Sequence, residues 1–120
     1  MQPLQVEIEK RGSALVVHLL GEMSLQMEDV DVAFRQVASQ KPSIVIVDLS
    51  KLNYISSLGI GLLLALRKDM GTGGTMRIAG AQGMVIDALR RARLTDMFEF
   101  CDSVDDAVTG KKVAAAAKKS

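Results

Sequence analysis

The sequence has one cysteine, one histidine, no tryptophan and no long hydrophobic run. With Cys101 alone, no intrachain disulfide can form and no cysteine cluster can hold zinc, and this usage fits a reducing cytoplasm. The longest apolar run, Ile55 to Leu66, is 12 residues and includes two serines and two glycines, short of the ~20 that a membrane-spanning helix needs. The opening MQPLQVEIEKRG lacks the basic-then-apolar pattern of a secretory signal. The expectation is a soluble, cytoplasmic chain with no membrane span. Charge of one sign is also missing. The net charge is +1, but Lys111, Lys112, Lys118 and Lys119 all fall in the last ten residues, so residues 1–110 carry 11 basic against 14 acidic groups. A mildly acidic body argues against direct contact with nucleic acid.

What is present suits one globular domain over residues 1–110. Of the 120 residues, 48% are hydrophobic and 24% charged, the balance of an ordinary folded protein. Residues 4–9 (LQVEIE) alternate as a half-buried strand does. Gly12-Ser13 turn the chain into a hairpin with Ala14–Leu20, which Gly21 ends. Ser24 is placed to cap a helix of roughly four turns, with Met27, Val30, Phe34, Val37 and Ala38 on one side and Glu28, Asp29, Asp31 and Arg35 on the other. Lys41-Pro42 breaks it. SIVIVDL, 43–49, reads as a central strand covered on both faces, and SKLNY as a loop. A helix follows from near Ser57 to about Met70, stopped by GTGG at 71–74. Thr75–Ala79 is a strand, 82–92 a helix with Arg90, Arg91 and Arg93 at its solvated end, and Phe98–Cys101 a short strand. Ser103 opens a last helix that Gly110 closes. The methionines, among them Met23, Met27, Met70, Met76, Met84 and Met97, read as adaptable core filler. Residues 111–120, KKVAAAAKKS, are expected to be a loose tail. A hairpin followed by alternating helices and strands predicts an α/β fold with a mixed, mostly parallel sheet of four to five strands and helices packed against it.

The segment NYISSLGIGLLLALR, 53–67, holds the chemistry. Ser56 and Ser57 stand where a strand and loop hand over to a helix, a capping position. Gly59 and Gly61 fall in the first turns of that helix, each costing ~1 kcal/mol against alanine. Bare backbone there lets another surface approach the serines. A phosphate on either hydroxyl would meet the positive end of the helix.

Catalysis by these serines would need an activating base. The only histidine, His18, is mid-strand, and no G-x-S-x-G elbow is present. No phosphate-cradling glycine loop forms around Gly59 and Gly61 or at 71–74, and Asp102, Asp105 and Asp106 lack calcium-loop spacing. The sequence therefore implies no metal and no cofactor.

The string VDLSKLNYISSLGIGLLLAL, with GEMSLQ upstream and SVDDAV near the end, resembles the STAS domain, and within it the single-domain bacterial anti-sigma factor antagonists, over nearly all of residues 2–110. In that family a strand ending Asp-Leu-Ser leads to Asp-Ser-Ser/Ala/Thr-Gly-Leu-Gly, whose first serine is phosphorylated. Val47-Asp48-Leu49-Ser50 fits the strand, Gly59 and Gly61 fit the glycines, and Ile60 stands for the leucine. The phosphoacceptor then falls on Ser57. Ser56 replaces the usual Asp and becomes a second candidate; Leu58 replaces a small residue; Ser24 replaces the Asp of Gly-Glu-Leu-Asp after Gly21-Glu22-Met23.

The resemblance implies a non-enzymatic partner switch. The unphosphorylated protein binds an anti-sigma factor serine kinase of the GHKL type, phosphorylation ends the binding, and a PP2C-type serine phosphatase restores it. The implied partner surface comprises Glu22, Ser24, Asp48, Ser50, Asn53, Tyr54, Leu58, Gly59, Ile60, Gly61 and Leu62. The alternative is a STAS module serving as a fixed scaffold subunit of a transport or signalling complex, with Ser57 only a helix cap.

Overall fold

The computed structural model describes residues 3–24 and 26–110; the expected tail at 111–120 lies outside the described residues. The elements are β1 (Gln5–Arg11), β2 (Ala14–Met23), α1 (Glu28–Ser39), β3 (Ile44–Ile55), α2 (Ser57–Asp69), β4 (Thr75–Ala79), α3 (Gly83–Arg91), a single 3₁₀ turn at Leu94–Asp96, β5 (Glu99–Cys101) and α4 (Val104–Thr109). The five strands lie in the order β1-β2-β3-β4-β5. β1 and β2 are antiparallel, and every later neighbour is parallel.

Each parallel pair is joined through a helix, and the strands advance across the sheet in one direction. Right-handed crossovers then put α1, α2 and α3 on the same face. The main core forms there: Val17, Leu19, Val45, Val47, Leu49 and Ile78 from the sheet meet Val30, Phe34 and Val37 of α1, Leu63 and Leu66 of α2, and Val85 and Leu89 of α3. The other face carries a smaller cluster, in which Ala14, Val16, Ile46, Ala79 and Cys101 meet Ala107 of α4. Small side chains let that short helix lie close to the sheet. Arg77 holds it there, donating to Glu99 Oε1 at 2.9 Å and to the Ala107 carbonyl at 2.8 Å. Burial pushes the Cys101 thiol up from its ordinary value, so the sole cysteine is a weak nucleophile.

The central strand is the one expected, with Val45, Ile46 and Val47 wholly buried. Several expectations are corrected. β1 is an exposed edge strand rather than a half-buried one, with Ile8 41% exposed. β2 does not stop at Gly21 but runs to Met23, and SKLNY is strand rather than loop, since β3 continues to Ile55. Both extensions have one cause. Register shifts between His18 and Leu20 and between Gly21 and Glu22 let the two strands stay paired, Met23 against Ile55 at the end, so neighbouring backbone satisfies N–H and C=O groups whose polar side chains suggested a loop. Gly21 takes φ +100° there, and a Cβ would collide with the Pro3 carbonyl. Finally, Ser24 does not cap α1. That helix starts at Glu28 behind Met27, with no side-chain cap, and is 12 residues long, about three turns rather than four. Among the methionines, Met23, Met27 and Met76 are in the core, but Met84 and Met97 are more than half exposed.

His18 is built into a ladder across three strands. Its Nδ1 lies 2.7 Å from Asp48 Oδ2 on β3 and its Nε2 2.7 Å from Glu9 Oε1 on β1. Both ring nitrogens face carboxylates, which only the imidazolium can serve as a double donor. Burial works against the charge on His18, but the bonds to Glu9 and Asp48 outweigh it and raise its pKa above the ordinary 6.5. Burial likewise opposes the Asp48 carboxylate, yet the Ser50 N–H and hydroxyl and then His18 bring its pKa below the ordinary 3.8. A raised histidine contributes stability fully below 6.5 and loses it as pH rises through its folded value; a lowered aspartate contributes above 3.8 and loses it as pH falls through its own. The stability lost in His18→Gln is therefore expected to be greatest between about pH 4 and 6.5 and to shrink on either side, as read by urea denaturation from pH 3 to 9. A loss that stays constant from pH 6 to 9 would mean a neutral imidazole.

Candidate functional site

Extending β2 and β3 to Met23 and Ile55 brings the GEMS segment against the start of α2. The Ser56 N–H donates to the Met23 carbonyl at 2.8 Å. The Ser56 hydroxyl donates to the Ser24 carbonyl at 2.9 Å and accepts the Gly59 N–H at 3.2 Å. Ser56, with φ −90° and ψ 172°, is the N-cap of α2. Its hydroxyl thus works both as donor and acceptor. Ser57, the first helical residue, is exposed. The two adjacent serines have separate environments, one tied into the fold and the other open to solvent. No acidic residue occupies the first turn of α2, while Arg67 and Lys68 sit in the last, which leaves the positive end of the helix uncompensated beside Ser57.

The two glycines also differ. Gly59 is buried, and a Cβ there would lie 2.9 Å from Ile55 Cγ1 and 3.1 Å from Met23 Cβ. It lets the helix seat against the strand ends and does not present bare backbone to a visitor, which corrects the expectation for this residue. Gly61 is exposed with nothing within 4 Å of a Cβ. No neighbour in the chain accounts for the missing methyl at 61.

The expected partner residues fall into two places. Tyr54, Ser57 and Ile60 line a groove of about 370 Å³ together with Met84, Ala88 and Arg91 of α3. Leu58 stands beside it, 60% exposed. Glu22 is half-buried and pairs in register with Tyr54, and Ser24 is half-buried behind Ser56. Gly61 and the half-buried Leu62 continue along α2.

Asp48 and Asn53 lie elsewhere, in two shallow depressions that share Leu20 and Lys51, the first also lined by Glu7 and His18. Asp48 is engaged by His18 and by the Ser50 N–H at 3.0 Å, and its place is in the strand ladder rather than beside Ser57. The Ser50 carbonyl accepts from Gln82 Nε2 at 3.2 Å. Sequence reasoning missed Met84 and Arg91 as neighbours of the serines. Met84 looked like a core position of an amphipathic helix, and no local signal says which helix end faces α2. Among the described residues no group of three or more His, Cys, Asp or Glu side chains is placed to hold a metal ion, and no helix is long and apolar enough to cross a membrane.

Comparison with known proteins was decisive at the level of family. The STAS domain model matches residues 5–107. The chain belongs to that family. No curated protein matches the sequence. Solved structures share the STAS fold at low identity. An anti-sigma factor antagonist from Mycobacterium paratuberculosis is 22% identical, with a TM-score of 0.84 over 90% of this chain and 93% of that one. The Bacillus cell fate determinant SpoIIAA in its phosphorylated form is 17% identical, with a TM-score of 0.67 over 89% and 97%. A sulfate transporter family protein from Wolinella succinogenes is 14% identical, with a TM-score of 0.71 over 90% and 90%. The mixed, mostly parallel sheet of four to five strands expected from the sequence is observed with five.

The contrast between the glycines gives a test of their roles. Gly59→Ala is expected to destabilise by about 1–3 kcal/mol, because overpacking against Ile55 and Met23 exceeds the gain in helix propensity. Gly61→Ala is expected to stabilise by about 0.5–1 kcal/mol. Chemical denaturation of both variants measures this, and equal effects of one sign would remove the distinction.

Proposed function

We propose that this STAS domain is a bacterial, cytoplasmic anti-sigma factor antagonist that acts as a phosphorylation-switched binding module and not as an enzyme. Unphosphorylated, it binds an anti-sigma factor serine kinase of the GHKL type. The kinase transfers the γ-phosphoryl group of ATP to Ser57. The Oγ–P bond forms, the bond from phosphorus to the β-phosphate bridge breaks, ADP leaves, and the hydroxyl proton passes to a base on the kinase. The modified protein is released, and a PP2C-type phosphatase hydrolyses the ester.

The reading is carried by one observation: Ser57 is exposed at the head of α2, while the Ser56 hydroxyl is spent on Ser24 and Gly59. Ser57 is therefore the acceptor and Ser56 the structural cap. The chemistry of the surroundings supports the switch. A phosphoserine adds a charge of about −1.5 to −2, and at a helix N-terminus that charge is worth only about 0.3–2 kcal/mol, favourably. The fold tolerates it. A partner that covers Leu58, Tyr54 and Ile60 would have to desolvate the phosphate with no matching charge of its own, which costs several kcal/mol. The open methyl-sized space at Gly61 suits close approach of that partner.

Incubation with the cognate kinase and ATP is expected to add one phosphate, and Ser57→Ala to abolish it with little change in thermal stability. Ser56→Ala is expected to lose about 1 kcal/mol through its cap and still be phosphorylated. Ser57→Asp is expected to bind the kinase at least about tenfold more weakly, or 1.4 kcal/mol, in a calorimetric titration. Phosphate found by mass spectrometry on Ser56 alone, or unchanged affinity of Ser57→Asp, would overturn the assignment.

A further inference from the structure

The groove beside Ser57 has a second wall that the proposed switch leaves without a role. Arg91, the last residue of α3, lines the same hollow as Ser57, is exposed, and has no acidic partner among the described residues. The nearest carboxylate on its own helix, Asp87, lies 3.7 Å from Arg90 instead. Between the two walls the lining is mixed, with Tyr54, Ser56 and Ile60 on the α2 side and Met84 and Ala88 from α3. A cation without an ion-pair partner lines the same small groove as the Ser57 side chain, and a dianion on that hydroxyl would supply the missing counter-charge. Guanidinium is suited to it, since its planar array of N–H donors matches two phosphate oxygens at once.

We propose that Arg91 is the internal receptor for the Ser57 phosphate: once Ser57 is phosphorylated, the guanidinium closes across the groove onto the phosphate and ties α3 to α2. This rests on Ser57 being the modified residue. The ion pair spans the hollow that is open in the unmodified chain, covering Ile60 and Ala88. Phosphorylation then changes the docking surface in two ways, by adding charge and by closing the groove between the helices. The receptor is specific to the arginine at position 91; Arg90 is held by Asp87.

The test incorporates phosphoserine at position 57 of the full chain during translation, so no kinase is needed, and follows the second ionisation of the phosphate by ³¹P NMR against pH at about 50 mM salt. The phosphate of the wild-type chain is expected to titrate at least about half a pH unit lower than that of Arg91→Gln, because a neighbouring cation favours the dianion. Arg91→Lys is expected to fall between them. Arg90→Gln is expected to titrate as the wild type does, and the difference to shrink near 0.5 M salt, where an exposed pair is screened. Equal titration of the wild type and Arg91→Gln overturns the proposal. So does an Arg90→Gln change as large as that of Arg91→Gln, which would reduce the effect to net charge. Unphosphorylated Arg91→Gln is expected to melt where the wild type does. Failure of a kinase to modify Ser57 would sink the switch itself and leave this titration unaffected.

Discussion

The Ser56 hydroxyl, holding the Ser24 carbonyl on one side and the Gly59 N–H on the other, is the contact on which the arrangement of the site depends. It joins the end of β2 to the first turn of α2, two segments 32 residues apart in the chain, and it satisfies one of the amides that a helix start leaves unpaired. With Ser56 fixed as the cap, the next residue has to be the first helical one, and that residue, Ser57, is exposed. Gly59 completes the arrangement by letting Ile55 and Met23 come within the space a methyl would fill. An Asp at the cap position could accept the Gly59 N–H but, ionised, could not donate to a carbonyl. Serine at the cap therefore adds a tie back to the end of β2 that an Asp would lack.

The sheet separates this site from the rest of the molecule. One face carries α1, α2, α3 and most of the core; the other carries α4 and a line of charges, Glu9–His18–Asp48 and Arg77–Glu99. His18 and Asp48 stabilise strand pairing on that second face, away from the groove at Ser57. The site itself lies at the ends of parallel strands, where chain leaves the sheet and enters a helix, the place where such folds expose residues without cost to their core. The groove between α2 and α3 follows from the same crossovers: helices placed side by side on one face leave a hollow wherever their facing side chains are short, here Ala88 and Ala92.

Much of this architecture was legible in the pattern of residues. The doubly buried Ile-Val-Ile-Val strand, the hairpin at Gly12, β4 at Thr75–Ala79, and the Ser103 and Gly110 caps of α4 all rest on local rules. The errors came where a polar stretch found backbone partners far away in sequence. SKLNY has the composition of a loop and became strand because β2 lies alongside it through two register shifts. Ser24 has the composition of a helix cap and instead follows the end of β2, its carbonyl accepting the Ser56 hydroxyl. Met84 has core spacing but faces a groove, since helical periodicity specifies which residues share a face and not what that face meets.

By itself, the sequence determined the fold class, the order of elements, the family and the pair of serines at a helix start, because periodicity, turn chemistry and a run of matching residues are properties of neighbours along the chain. Which serine is tied down, which glycine is filled space, and which arginine lines the groove beside Ser57 were decided only in three dimensions. Each of those depends on the pairing of β2 with β3 and the placing of α3 beside α2, contacts between residues that no local rule brings together.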